Sequence, residues 1–141
     1  MSKQDEIEVS KLIEANLSLR FQNRPYKIGD WGKVDNWCTL DENTYLFLEV
    51  ETSQKHPNTN VLKLWPYLLE HVEMRVILIQ SYFSDSPGVK SNRGRLAEWL
   101  GIELENQLFN RFKYCRIIID KTIKWAVIRN EVDQFLHIEN Q

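Results

Sequence analysis

Apolar residues along the chain recur first at helical spacing and then in short continuous runs. The helical spacing predicts a helix over residues 5–21, and Pro25 with two glycines predicts a break over residues 22–32. The later runs, rich in β-branched and aromatic residues, predict strands. The predicted strands are residues 33–40, 44–52, 74–83, 113–119 and 122–128, with a further short strand around residues 26–28.

Helical spacing also returns between the predicted strands. Residues 59–72 predict a helix in which Pro66 either introduces a kink or lies in the first turn. A loop over residues 84–94 precedes an amphipathic helix, and Asn130 is expected to cap a short last helix. The apolar face of the amphipathic helix is predicted to consist of Leu96, Trp99, Leu100, Leu104 and Leu108. This order of elements predicts an α/β (α+β) fold with a mixed sheet covered by helices.

Length and composition fit one domain spanning residues 1–141. Hydrophobic residues make up 43% of the chain and charged residues 27%, which is typical of a globular protein. No apolar run approaches the ~20 residues that a membrane span needs, and the N-terminus lacks the apolar core of a signal peptide, so a cytoplasmic location is expected. Cys38 and Cys115 are far apart in sequence, which predicts reduced thiols rather than a disulfide or a zinc site.

Charge is distributed unevenly although the net charge is only −2. The net charge is −4 in residues 1–51, +3 in residues 52–95 and −1 in residues 96–141. An acidic segment followed by a basic one is compatible with a metal site beside a phosphate-binding surface. The alternative is ordinary variation over a solvated surface.

The strand predicted over residues 44–52 ends in two acids on one face. Because side chains alternate across a strand, Leu46, Leu48 and Val50 share one face. Tyr45, Phe47, Glu49 and Glu51 share the other face. We therefore expect this second face to be covered at its start and open to water at its acidic end. Two carboxylates at this spacing repel each other unless a cation lies between them.

A hairpin brings a third acid to the same face. If residues 41–43 form a three-residue loop, Trp37 lies opposite Phe47 and Asp35 lies opposite Glu49. A four-residue loop would move Asp35 to the other face. Three carboxylates suit Mg²⁺ or Mn²⁺, which activate water and neutralise charge on a phosphodiester. The alternative is a surface hairpin whose acids serve solubility.

The segments KVDNW (33–37) and LFLEVETSQ (46–54) resemble the core of the PD-(D/E)XK nuclease superfamily. The resemblance covers about residues 5–83 and implies a restriction-endonuclease-like fold with αβββαβ order. It assigns Asp35 and Glu49 to the two metal-binding acids of the family motif, with the Val50 carbonyl as a further ligand. The implied function is a metal-dependent nuclease that uses Mg²⁺ or Mn²⁺ to hydrolyse phosphodiester bonds, with DNA as the expected substrate.

The chain departs from the family pattern at Glu51, where most members have lysine. Some restriction enzymes have glutamate there, and Glu51 would then bind a second metal or orient and deprotonate the attacking water. Lys63 and Lys55 are the candidates for a lysine that has moved to a nearby element. Val34 also replaces the usual proline. These departures leave open a catalytically inactive relative that acts as a nucleic-acid- or protein-binding module.

Basic residues suggest where a nucleic acid would bind. Arg93 and Arg95 flank Gly94 just before a predicted helix, a position that suits phosphate contacts, and Lys55 follows the acidic motif. The resemblance also implies a homodimer or a partner protein, because cleavage of two strands by this fold usually takes two active sites.

Overall fold

A four-stranded mixed sheet with helices on both faces forms the centre of the fold. The structure is a computed structural model and describes residues 3–51 and 56–138. The strands are β1 (Tyr26–Lys27), β2 (Lys33–Val34), β3 (Asn36–Thr39), β4 (Thr44–Glu51), β5 (Arg75–Phe83) and β6 (Phe112–Ile119). The helices are α1 (Lys3–Leu17), α2 (Pro57–Leu62), α3 (Leu64–Glu70), α4 (Asn92–Gln107) and α5 (Trp125–Leu136), with a 3₁₀ helix at Pro87–Val89.

The sheet has the order β3-β4-β5-β6. Strands β3 and β4 are antiparallel, and the pairs β4–β5 and β5–β6 are parallel. Each parallel pair is joined by a helical crossover, α2 with α3 in the first case and α4 in the second. The mixed α/β architecture with a helix-covered sheet is therefore confirmed.

The hairpin β3–β4 has the register that a three-residue loop requires. Trp37 pairs with Phe47, and the Leu40 N–H donates a 2.8 Å hydrogen bond to the Thr44 carbonyl. The short strand predicted around residues 26–28 is present as β1. It pairs with β2 in a separate two-stranded sheet, because the predicted strand 33–40 is interrupted at Asp35.

Two apolar cores lie on opposite faces of the sheet. On one face, Leu46, Leu48 and Val50 pack with residues of α1 and α5. On the other face, Phe47 packs with residues of α2, α3 and α4. The predicted alternation of β4 side chains is therefore confirmed, and the face that carries Glu49 and Glu51 is the one that α2 covers.

Two predictions of secondary structure need correction. Residues 122–128 were predicted as a strand but form a loop and the first turns of α5, so Asn130 lies inside that helix instead of capping it. Ile128, Val132 and Phe135 recur at helical spacing and cover the sheet face beside α1. The predicted helix 59–72 is two helices, with Lys63 between them and Pro66 in the first turn of α3.

The predicted apolar face of α4 is confirmed in part, since Leu104 is buried and Leu100 and Leu108 pack against the core. Small residues and Leu104 make the contact with the sheet, whereas Leu96 and Trp99 are exposed. The buried residues of α4 are Gly94, Ala97, Gly101 and Leu104. Only small side chains allow α4 to come this close, since a methyl group on Gly101 would overlap the Tyr114 ring.

Within the described part of the chain, no helix combines the length and apolar character that crossing a bilayer requires. Cys38 and Cys115 are both free and buried, as the sequence predicts.

Candidate functional site

The acidic end of β4 meets the junction between α2 and α3. Lys63 lies at this junction, and its Nζ is 2.7 Å from Oε1 of Glu49. Both side chains are largely buried. The same ammonium donates to the Lys33 carbonyl at 2.7 Å and to Oδ1 of Asn60 at 3.2 Å. Three acceptors therefore fix the Lys63 charge beside Glu49.

Glu51 lies deeper than Glu49 and is held by amide groups. Its two oxygens accept hydrogen bonds from Nδ2 of Asn60 at 2.9 and 3.0 Å, and Oε2 also accepts one from Nε2 of Gln80 at 2.6 Å. The Tyr114 hydroxyl donates to the carbonyl oxygen of the Gln80 side chain at 2.6 Å, which orients that amide. Asn60 links the two halves of the site, because it contacts both Glu51 and Lys63.

The acidic end of β4 is not open to water as the alternation of its side chains suggested. Glu51 is 2% exposed, since α2 begins at Pro57 and lies over the end of the strand. Glu49 and Glu51 lie on the predicted face of β4, but the helix that covers this face was not predicted.

Burial is the main cause of the raised pKa values of Glu49 and Glu51. Burial raises the pKa of Glu49 to about 7, even though Lys63 acts in the opposite direction, and the charges of Glu51 and Asp35 add to the rise. Burial also raises the pKa of Glu51, against the hydrogen bonds from Asn60 and Gln80 and the charge of Lys63. The raised pKa of each glutamate therefore reflects its removal from water more than repulsion between the carboxylates.

Asp35 lies at the outer edge of the site. It follows β2 directly, its side chain is 52% exposed, and Oδ1 is 3.8 Å from Nζ of Lys33. Because Asp35 contributes to the raised pKa of Glu49, its carboxylate lies within electrostatic reach of Glu49. Asp35 also borders a surface depression beside α1, together with Ser10 and Glu14.

The backbone of β4 presents one further oxygen at this edge. The Thr44 carbonyl points toward β3, and backbone groups two residues apart point the same way along a strand. The Val50 carbonyl therefore points to the side of β3, beyond Leu48, where the ladder with β3 ends. The Val50 side chain is buried in the core beside α1 and α5.

The two arginines that were predicted to contact phosphate, Arg93 and Arg95, lie on different sides of α4. The Arg93 guanidinium contacts the His56 ring, with Nη1 3.0 Å from Nδ1, just before the start of α2. Arg95 points away from Arg93, because residues two apart on a helix are separated by roughly 200°. Its guanidinium donates to Asn92 at 2.8 Å on the exposed side of α4. Lys55 lies outside the described residues.

The three carboxylates that were expected to converge do not form a metal-binding group of their own. Among residues 3–51 and 56–138, no three Asp, Glu, His or Cys side chains form a group that could hold a metal by themselves. Proteins bind Mg²⁺ with one or two carboxylates, and water and substrate phosphate complete the coordination. Asp35, Glu49 and the Val50 carbonyl would be the candidates for such a smaller set.

Asn60 and Gln80, which donate hydrogen bonds to Glu51, were not among the predicted site residues. Asn60 precedes Lys63 by three residues and so shares its helix face, a relation visible in the sequence once Lys63 is considered. Gln80 is an amide inside the apolar strand β5 and is fully buried, a pattern that by itself indicates a polar partner. The partner was not predictable, because it depends on the register between β4 and β5.

No family model, curated protein or solved structure matches this chain.

Proposed function

We propose that this chain is a metal-dependent nuclease of the PD-(D/E)XK type, with a restriction-endonuclease-like fold, that hydrolyses phosphodiester bonds in DNA. The observation that supports the proposal best is the contact between Lys63 and Glu49 at 2.7 Å. Through this contact, a lysine at the α2–α3 junction lies beside Glu49, the second acid of the family motif. Lys63 thus supplies the cation that the family motif has two residues after this acid, where this chain has Glu51.

The proposal assigns Asp35, Glu49 and the Val50 carbonyl to one Mg²⁺ or Mn²⁺ ion. When bound, the metal would lower the pKa of a water molecule and neutralise charge on the scissile phosphate. The residues themselves concentrate negative charge where a cation is needed, because Asp35 and Glu51 both act on Glu49. The half-exposed position of Asp35 leaves this side of the site accessible to a substrate.

Lys63 and Glu51 have different roles in the proposal. Lys63 is a point charge held by three acceptors, and it would stabilise the negative charge that develops on the phosphoryl oxygens. Glu51 is fully buried and bound by Asn60 and Gln80, so it positions Lys63 through Asn60 instead of contacting the attacking water.

The proposal places DNA phosphates near Arg93, at the start of α4, and near Lys55, which follows the motif in sequence. Arg93 contacts His56 beside the N-terminus of α2, the helix that covers the acids. The phosphate contact predicted for Arg95 stays a prediction. The same proposal assigns a cytoplasmic location, where thiols such as Cys38 and Cys115 remain reduced.

One observation favours a second candidate, a catalytically inactive relative that binds nucleic acid or protein. The hydrogen bonds from Asn60 and Gln80 engage both Glu51 oxygens, and Lys63 is engaged by three acceptors. Such an arrangement also serves a purely structural role, in which buried polar groups satisfy one another. This candidate predicts DNA or protein binding without cleavage.

Cleavage and metal binding together test the proposal. Purified protein is incubated with plasmid, linear duplex and single-stranded DNA in Mg²⁺ or Mn²⁺, and Mn²⁺ binding is measured by calorimetry without DNA. We expect Asp35→Asn and Lys63→Met each to slow cleavage by about 100-fold or more. Asp35→Asn should also weaken Mn²⁺ binding. Because Asp35 is half exposed, this variant should unfold at the same urea concentration as the wild type.

Glu73→Gln is the matched control, because Glu73 is an exposed acid in the turn before β5. It should leave cleavage and Mn²⁺ binding unchanged. A wild-type protein that neither cleaves any of these substrates nor binds Mn²⁺ would exclude the nuclease. DNA binding without cleavage would support the second candidate instead.

A further inference from the structure

Helix α4 has an apolar stripe on the side that faces away from the sheet. Leu96, Trp99 and Ile102 are 54%, 61% and 51% exposed. Three large apolar residues on one side of a single helix differ from the scattered exposed apolar residues that any surface carries. The sequence alone suggested that Leu96 and Trp99 pack inside the fold, and the structure leaves them without a partner among the described residues.

The stripe lies opposite the buried side of α4. With a rotation of about 100° per residue, Trp99 points almost directly away from the mean direction of Gly94, Ala97, Gly101 and Leu104. Leu96 and Ile102 lie three residues before and three residues after Trp99, at equal angles on either side of it. We call this surface, together with Asn92, Arg95, Glu103 and Asn106 on the same side of α4, the Trp99 face.

The polar residues of the Trp99 face form pairs at equal distances before and after Trp99. One pair consists of two amides, and the other of two opposite charges. Arg95 lies four residues before Trp99, and Glu103 lies four residues after it. Asn92 and Asn106 lie seven residues before and seven after. If two copies of α4 pack antiparallel with their Trp99 residues at the centre, Arg95 of each copy meets Glu103 of the other. Leu96 then meets Ile102, and Asn92 meets Asn106.

We propose that the Trp99 face binds a second copy of this chain, through an antiparallel α4–α4 contact with a two-fold axis at Trp99. A two-fold interface requires one surface to be complementary to itself, so that residue i contacts residue j and residue j contacts residue i. The Trp99 face meets that requirement for its charged, apolar and amide residues together. An unrelated partner would not require this pairing within one helix.

The contact is expected to be weak. A pair of helices of this length buries less than the ~1,600 Å² of a standard interface, so a dissociation constant of about micromolar or above is expected. The contact also gives Arg95 a carboxylate partner, in place of the phosphate that the sequence suggested. The proposal does not depend on the nuclease function, since the Trp99 face contains none of the residues of the acidic site.

Sedimentation equilibrium of the full chain over a wide range of protein concentrations tests the contact. The wild type should change from monomer to dimer, and Trp99→Glu should raise the dissociation constant by at least about tenfold, as expected for a central aromatic residue. Val127→Glu is the matched control, because Val127 is 52% exposed on α5, on the other side of the sheet. It should leave the dissociation constant unchanged.

Exchanging the charges of Arg95 and Glu103 tests whether the two α4 helices pack antiparallel. Arg95→Glu alone and Glu103→Arg alone each place like charges together twice per dimer, so each should raise the dissociation constant by about fivefold or more. The double variant restores both pairs and should return to within about threefold of the wild type. A parallel contact, or contact with a different surface, does not predict this restoration.

Two results would overturn the proposal. One is a wild type that stays monomeric at every concentration. The other is a dimer that the single charge changes do not weaken or that the double change does not restore, which would leave Arg95 available for phosphate. Cleavage measurements on the same variants keep this result separate from the nuclease proposal, since a monomer that cleaves DNA would exclude only the dimer.

Discussion

The Asp41 side chain closes the hairpin on which the position of Asp35 depends. Its Oδ1 accepts hydrogen bonds from the N–H groups of Asn43 at 3.0 Å and Thr44 at 2.8 Å. Burial acts to raise the pKa of Asp41, but these hydrogen bonds and the charge of Arg75 outweigh it and hold the pKa below its usual value. The ionised form therefore stabilises the three-residue loop.

Asp41→Ala should lower the free energy of unfolding by about 1 kcal/mol at neutral pH, the usual loss for a side chain that caps backbone N–H groups. Because the folded pKa is lowered, this stabilisation is present above the unfolded pKa of about 3.9 and disappears as the pH falls through the folded value. Urea unfolding at several pH values measures the difference. Glu42→Ala is the matched control in the same turn, because Asp41 accepts both of these loop hydrogen bonds, and it should change the free energy of unfolding by less than about 0.5 kcal/mol.

For Glu51, the sequence predicts the strand face correctly but not the burial of the side chain. The face on which it lies follows from alternation along one strand, which is local information, and the structure confirms it. Its burial depends on Asn60 and Gln80, which are 9 and 29 residues away in sequence. Nothing near Glu51 in the sequence specifies these contacts, so an acid expected at the surface is in fact enclosed.

At the scale of one element, α4 shows how apolar periodicity can indicate the wrong face. Large apolar residues suggested that Leu96 and Trp99 are buried, but the buried side of α4 consists of Ala97, Gly101 and Leu104 against the sheet and Gly94 against Gly88. Small residues carry little hydrophobic signal in sequence, although they allow the closest approach of a helix. The prediction for residues 122–128 was wrong for a related reason, since a seven-residue segment with five β-branched or aromatic residues is too short to distinguish a strand from the start of a helix.

Gly94→Ala tests the close approach of α4. A Cβ at this position would overlap the backbone carbonyl of Gly88, which cannot rotate away as a side chain would. We expect a loss of about 1–3 kcal/mol in the free energy of unfolding, even though alanine favours helix over glycine by about 1 kcal/mol. Asn106→Ala, on the exposed side of the same helix, should leave stability unchanged or slightly higher. A Gly94→Ala variant as stable as the wild type would contradict this packing.

At the scale of the whole molecule, local patterns predicted the hairpin, and the alternation of strands and helices predicted the mixed sheet. Both are confirmed. The register between β4 and β5 was not predictable, because it follows from how the α2–α3 crossover packs against the sheet. That register pairs Glu49 with Gln80 and Glu51 with Tyr82, and so it brings the amide of Gln80 to the acidic site. The site is thus partly a product of tertiary packing.

Arg75 connects four parts of the chain at the end of the sheet away from the acidic site. It begins β5, is buried, and donates to the carbonyls of Asn110 at 2.8 Å and Phe135 at 2.5 Å and to the Thr44 hydroxyl at 3.1 Å. Its guanidinium also lies 4.2 Å from the centre of the Phe135 ring. The end of α5 and the loop before β6 are therefore attached to the start of β4 and β5 through one side chain.

Arg75→Met should destabilise the protein by about 3 kcal/mol, because methionine fills the space of the arginine stem but removes the donor to the Asn110 carbonyl, the Phe135 carbonyl and the Thr44 hydroxyl. Arg129→Met is the matched control, since Arg129 joins α5 to the Asn16 carbonyl at 3.0 Å on the surface. It should cost less than about 1 kcal/mol, as is usual for exposed polar contacts. Urea unfolding of both variants gives the comparison, and equal losses would show that α5 is attached to the sheet by its apolar face alone.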